Sequence, residues 1–181
     1  MNIEILKKEP AIIDFVATFS RLEYALKASG KFLRWTKDAE ADWIAFATDI
    51  ESKINNSINC QLKKSIEYIL NNPPQKQTNE NGVIKWKPVD ASQRNRTKNL
   101  IMYICRIRNN LFHGGKFVGG YLEEFDRDFT LVKCALLILK ETVNWVNPFF
   151  SWNLAVAPVK MTSPFTPQSI FWTRSIPEYP Y

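Results

Sequence analysis

The chain holds a single histidine, His113, inside the segment Arg108-Asn109-Asn110-Leu111-Phe112-His113-Gly114-Gly115-Lys116. Imidazole is the one side chain whose ordinary pKa sits near neutrality. Acid–base chemistry here must therefore use His113 or a carboxylate tuned by burial. Arg108, five residues earlier, could hold a phosphate bidentately and neutralise the extra charge of a phosphorane. Asn109 and Asn110 could orient either group or hydrogen-bond a nucleotide. Metal-free cleavage of RNA needs a base for the 2′-OH and an acid for the leaving 5′ oxygen. One histidine does not readily serve as both in a single step, but a homodimer contains two. The competing reading is structural: a histidine before a glycine pair can simply close a helix.

Spacing bears on the pair. Five residues along a helix is a rotation of about 140°, so Arg108 and His113 do not stack on one face. Asn109, four residues before His113, does share its face. One helix thus presents a spread polar edge, and two such helices across a two-fold axis would bring their arginines and histidines into one cleft. At a helix C-terminus the macrodipole favours the imidazolium, whereas Arg108 and Lys116 disfavour it.

The surrounding charge is one-signed. No acidic residue lies between Asp90 and Glu123, while Arg94, Arg96, Lys98, Arg106, Arg108 and Lys116 all do. Their sum equals the +6 net charge of the whole chain. Such a field suits a polyanion, RNA or DNA before an acidic metabolite; a solvated basic helix face is the alternative.

The elements that must position these residues read as helices. Pro10 opens an amphipathic pattern with Ile12, Phe15/Val16, Phe19, Leu22 and Leu26 inward, Arg21, Glu23 and Lys27 toward water, and Gly30 as its stop. A second helix is expected from about Asp38, with Trp43, Phe46, Ala47 and Ile50 on one face. A third is expected from about Ser57, with Ile58, Leu62, Ile66 and Ile69/Leu70 inward, ended by Asn71-Asn72-Pro73-Pro74. Residues 73–91 read as an exposed loop with a turn at Asn79-Glu80-Asn81-Gly82 and room for a short hairpin. Ser92 is the expected cap of the fourth helix, whose apolar face is Leu100, Ile104, Ile107 and Leu111, with Lys98 and Arg106 opposite. Gly114 and Gly115 end it, which places His113 in its last turn. The fifth and longest helix is expected from about Asp126, with Phe125, Phe129, Val132, Leu136, Leu139, Val143 and Val146 in one stripe that packs on several helices or on a partner subunit.

The expected fold class is therefore all-α, a bundle of four to five helices. Two regions are expected: a helical domain over 1–147 and an extended arm over 148–181. Six prolines exclude a long helix in the arm, and its eight phenylalanine, tryptophan and tyrosine residues exclude a plain solvated tail. Its aromatics should sit in grooves of the chain's own helices or of a partner. No apolar run is long enough for a membrane span, so no membrane partner is expected. The N-terminus, which mixes acids with lysines and lacks a small-residue cleavage site, does not read as a signal peptide. Cys60, Cys105 and Cys134 fit neither a disulfide framework nor a metal site; buried thiols in a reducing cytosol are expected. Neither a cofactor nor a metal is expected.

Arg108-Asn109-x3-His113, late in a basic helix, resembles the signature of the HEPN superfamily, an arginine and a polar residue followed by a histidine four to six residues after the arginine. The first helix, with FSRLEYALKASG from Phe19 to Gly30, is similar to that of stand-alone bacterial and plasmid-borne members. The resemblance covers residues 11–147. It implies a homodimer with adjacent motif helices and a metal-independent endoribonuclease of the kind found in toxin–antitoxin and phage-defence systems. It also implies Arg108 and His113 as the catalytic pair with Asn109 in support. Lys116, Arg106, Asn110, Arg94, Arg96 and Lys98 would line the path of the RNA phosphates. RNA, a second copy of the chain and an antitoxin or regulatory protein would be the partners, in the cytoplasm. Some relatives only bind nucleotides or proteins, so a non-catalytic module stays open. Members paired with nucleotidyltransferase antitoxins carry a tyrosine two residues after the histidine; here that position is Gly115.

Overall fold

The structure, a computed structural model, describes residues 10–89, 95–112 and 122–146. Among these, the chain forms five helices and one two-stranded hairpin: α1 (Pro10–Ala28), α2 (Trp43–Asn55), α3 (Cys60–Asn71), β1 (Lys76–Glu80), β2 (Val83–Lys87), α4 (Arg96–Phe112) and α5 (Leu122–Val146). The all-α class holds. No helix among the described residues is long and apolar enough to cross a membrane.

Periodicity accounts for α1 almost residue by residue. Ile12, Phe15, Phe19, Leu22 and Leu26 are buried, joined by Ala25. Gly30 follows the helix at φ 68°, a left-handed conformation that costs glycine little. The fourth helix buries Leu100, Ile104, Ile107 and Leu111 as the spacing requires.

Helix starts differ from expectation, and for α2 and α3 a better cap explains why. α2 opens at Trp43 rather than near Asp38, because the Asp42 carboxylate accepts from the Ala45 N–H at 2.8 Å. The residues just before it are held in a tight reversal. Leu33 bridges Ala41, the Arg34 N–H donates to the Glu40 carbonyl at 2.9 Å, and Arg34 also pairs with Glu40 through its side chain. α3 opens at Cys60 rather than near Ser57. The Asn59 amide oxygen accepts from both Gln61 and Leu62, while Ser57 only accepts from Asn59 itself. Ile58, expected inward, is consequently outside the helix and 91% exposed. α4 opens at Arg96 on an Asn95 cap, whose side chain accepts from the Lys98 N–H at 3.0 Å. Ser92, the expected cap, lies outside the described residues. α5 starts at Leu122, a turn earlier than expected.

α5 organises the bundle. It packs along α1 on one side and α3 on the other, with smaller contacts to α4 and α2, while α4 packs chiefly on α2. Two neighbours demand a wider apolar arc than a single stripe. Val132, Leu136 and Leu139 are buried as expected, and so are Leu131, Ala135, Ile138 and Thr142. Phe129 and Val143 pack only partly buried at its edge. An aromatic run, Phe15–Phe19–Trp43–Phe46–Phe32, with successive ring centroids 4.8–6.2 Å apart, ties α1 to α2 and the reversal between them.

The loop expected over 73–91 carries the hairpin. Asn81 and Gly82, at φ 53° and 83°, supply the two positive φ values of a type I′ turn. The Asn79 side chain accepts from the Gly82 N–H at 2.8 Å. The register runs from Glu80 opposite Val83 to Lys76 opposite Lys87.

Candidate functional site

The last described turns of α4 carry Arg108, Asn109 and Asn110, each turned about 100° from the one before. The consecutive residues therefore fan across the helix end. Arg108 turns to α1. Its guanidinium carbon lies 5.4 Å from the Phe19 ring centroid and 5.1 Å from that of Phe112. One Nη donates to the Asn109 amide oxygen at 3.1 Å, and the other stands 3.7 Å from a Glu23 carboxylate oxygen. The Arg108 Nε is buried and meets no hydrogen-bond acceptor. Such a planar cation against aromatic faces is favourable by about 0.5–1 kcal/mol per contact where exposed. A buried N–H left without an acceptor costs about 1–3 kcal/mol. Arg108 is thus fixed in place while part of its donor capacity stays unused.

Asn110 turns to the opposite side. Its amide donates to the Gln75 carbonyl at 2.8 Å, in the segment between α3 and β1. Arg127 of α5 donates to the Pro73 carbonyl of the same segment at 2.8 Å and pairs with Asp128. Two helices thereby clamp the root of the hairpin. The sequence suggested a nucleotide contact for Asn110; in the structure one of its amide donors holds backbone. Asn109 lies between the two, half-buried, as the acceptor for Arg108.

His113, Lys116 and Arg94 lie outside the described residues, as do Gly114 and Gly115 and the arm over 148–181. Arg96 sits at the first turn of α4, far along the helix from Arg108, and pairs with Glu67 of α3. Lys98 and Arg106 are half-buried on the outward side of α4, where Met102 is also exposed. Read along the chain the basic window has no acid, but in space Glu23 and Glu67 enter it from α1 and α3, so Arg96 and Arg108 are partly neutralised.

Three participants carry no sign in the sequence that ties them to the site: Glu23, Phe19 and Phe112. Glu23, on the face of α1 expected toward water, is half-buried and shared between Lys27 at 3.6 Å and Arg108. Phe19 and Glu23 are four residues apart, hence on one face of α1. That spacing was legible; the helix opposite it was not.

The cysteines are not uniformly buried. Cys60 is exposed at the first position of α3. Burial pushes the Cys105 thiol up to about 12 and also raises that of Cys134. Among the described residues no three His, Cys, Asp or Glu side chains gather in a group that could hold a metal ion. Compared with protein-family models, curated proteins and solved structures, the chain finds no match.

Proposed function

We propose that the protein is a metal-independent endoribonuclease of HEPN type, acting as a homodimer in which each chain contributes Arg108, Asn109 and His113 to a composite site. In this reading one imidazole takes the 2′-OH proton as the 2′ oxygen attacks phosphorus. The second histidine, present as imidazolium, gives its proton to the departing 5′ oxygen, leaving a 2′,3′-cyclic phosphate and a 5′-hydroxyl. Arg108 would bind the non-bridging oxygens, whose charge grows along the reaction. A toxin–antitoxin or phage-defence setting, with an antitoxin or regulatory protein as partner, follows from the resemblance alone.

The observation that carries the reading is the state of Arg108. Two aromatic rings and Asn109 fix its guanidinium. Its only carboxylate partner among the described residues stands at 3.7 Å, beyond a direct hydrogen bond, so the Nη facing it keeps donor capacity. An arginine held this way can receive a phosphate without first being ordered. A non-catalytic RNA-binding module is the second reading. The Glu23 carboxylate favours it, because it already offsets the charge a transition state would use.

Incubating the pure protein with single-stranded RNA in excess EDTA tests the proposal. The wild type is expected to cut, His113→Ala to lose at least about 100-fold in rate, the usual worth of one acid–base group, and Arg108→Lys to retain binding but lose rate. Cutting that chelator abolishes, or that His113→Ala leaves intact, overturns the mechanism. Salt-sensitive binding without products supports the second reading.

A further inference from the structure

The hairpin carries a charge arrangement that its own stability does not explain. Side chains alternate across the ribbon, so Lys76, Thr78, Glu80, Val83, Lys85 and Lys87 share one face. Lys76 and Lys87 are directly opposite partners. Cβ atoms of such a pair lie about 5 Å apart, and like charges there repel. Glu80 answers only part of this. It pairs with Lys85 at 2.8 Å and with Lys87, and these two cations hold its carboxyl below the usual range. Lys76 has no partner among the described residues, and Lys76, Lys85 and Lys87 are all exposed. One face of a five-residue ribbon thus holds three cations and one anion, a concentration that suits a bound anion.

Its place in the fold supplies the second observation. Lys76 follows Gln75, whose carbonyl accepts from Asn110 at 2.8 Å, and Arg127 holds Pro73 two residues earlier. The Lys76/Lys87 end is therefore the root of the hairpin, one residue from the carbonyl that Asn110 of α4 holds.

We propose that the Lys76–Lys87 root of the hairpin is a phosphodiester-binding subsite that holds single-stranded RNA at the C-terminal end of α4, on the side that Asn110 faces, so that a strand crossing the helix end passes from it toward Arg108. It rests on the reading above for the identity of the polyanion. The hairpin is a two-stranded ribbon of exposed cations, so it contacts backbone phosphates rather than base edges, and the subsite is indifferent to sequence.

Fluorescence anisotropy on the full chain carrying His113→Ala, with a labelled single-stranded RNA of mixed sequence, tests this. Removing two phosphate contacts should lower the slope of log affinity against log salt by about 1.4. Lys76→Ala/Lys87→Ala is accordingly expected to weaken binding on the order of 20-fold at 0.1 M salt. Lys76→Arg/Lys87→Arg should bind as the parent does, and helical circular dichroism should not change. Unchanged affinity and slope in the alanine pair overturn the subsite while the ribonuclease reading stands on its own cleavage assay. Lysine-dependent binding by a wild-type chain that cuts nothing sustains the subsite and removes the ribonuclease. Tighter lysine-dependent binding of a polyglutamate peptide overturns RNA as the ligand, and a wild type that binds no RNA overturns both.

Discussion

Arg108 gathers four influences at once: two aromatic faces, an amide acceptor and a carboxylate held just out of hydrogen-bonding reach. Lysine could carry the charge but neither stack its plane nor present a fork of donors, which is why Arg108→Lys separates binding from rate. Cysteine chemistry at the same scale is set by burial. The unfolded Cys105 thiol ionises at about 8.5, whereas burial in the fold pushes it up to about 12. The unfolded state therefore loses its proton first, and stability is expected to fall as pH rises from about 9 toward 12. At pH 8, iodoacetamide should modify exposed Cys60 much faster than half-buried Cys105, whose labelling catches up only in denaturant, read by mass spectrometry of peptides. Equal labelling of the two would contradict the burial.

At the scale of elements, capping decides where helices begin and turn chemistry decides the hairpin. Asp42, Asn59 and Asn95 each place a side-chain oxygen on the N–H of a first-turn residue, and three helices start there. Gly82 stands at φ 83° with nothing within 4 Å of where a Cβ would be, so Gly82→Ala costs only conformational strain, about 1–2 kcal/mol. The hairpin touches the bundle core little, with Val83 57% and Ile84 70% exposed. The substitution should therefore leave the main melting transition within about 1 °C while collapsing the dispersion of hairpin amide resonances. A drop of several degrees would mean that the hairpin melts with the helices. The Glu80 pairing adds a pH sense: its carboxyl is held low, so its support of the ribbon is complete above the ordinary carboxylate pKa and fades as pH falls through the lowered value.

For the whole molecule, α5 between α1 and α3 builds one continuous core, and the ends of α4 and the hairpin meet at its margin. In the proposed mechanism each chain's one histidine serves as base or acid, and a second copy supplies the other. Light scattering at micromolar concentration is expected to give twice the 21.0 kDa chain mass. A monomer that still cuts RNA would remove the composite site.

Much of this was legible from residues in order. The apolar spacing of Ile12 through Leu26 and of Leu100 through Leu111 marked buried faces, and Asn81-Gly82 marked a tight turn. These depend on a few neighbouring residues and on backbone geometry that any chain shares. The partners of the basic window were not legible. Glu67 meets Arg96 and Glu23 meets Arg108 only because the bundle brings α3 and α1 within side-chain reach of α4, and ion pairing falls with distance through space rather than along the chain. Helix-start signals fell between, since Ser57 and Asn59 are both competent caps and local hydrogen bonding chose the second. Residues in order were enough to mark the chain as helical, to put Arg108 and Asn109 late in its fourth helix, and to show that this stretch is basic. Packing decided that Arg108 turns inward onto Phe19 and Glu23, and that Asn110, on the opposite side of α4, anchors a lysine-faced hairpin. Periodicity fixes which side of a helix is apolar; packing fixes what each polar residue meets there.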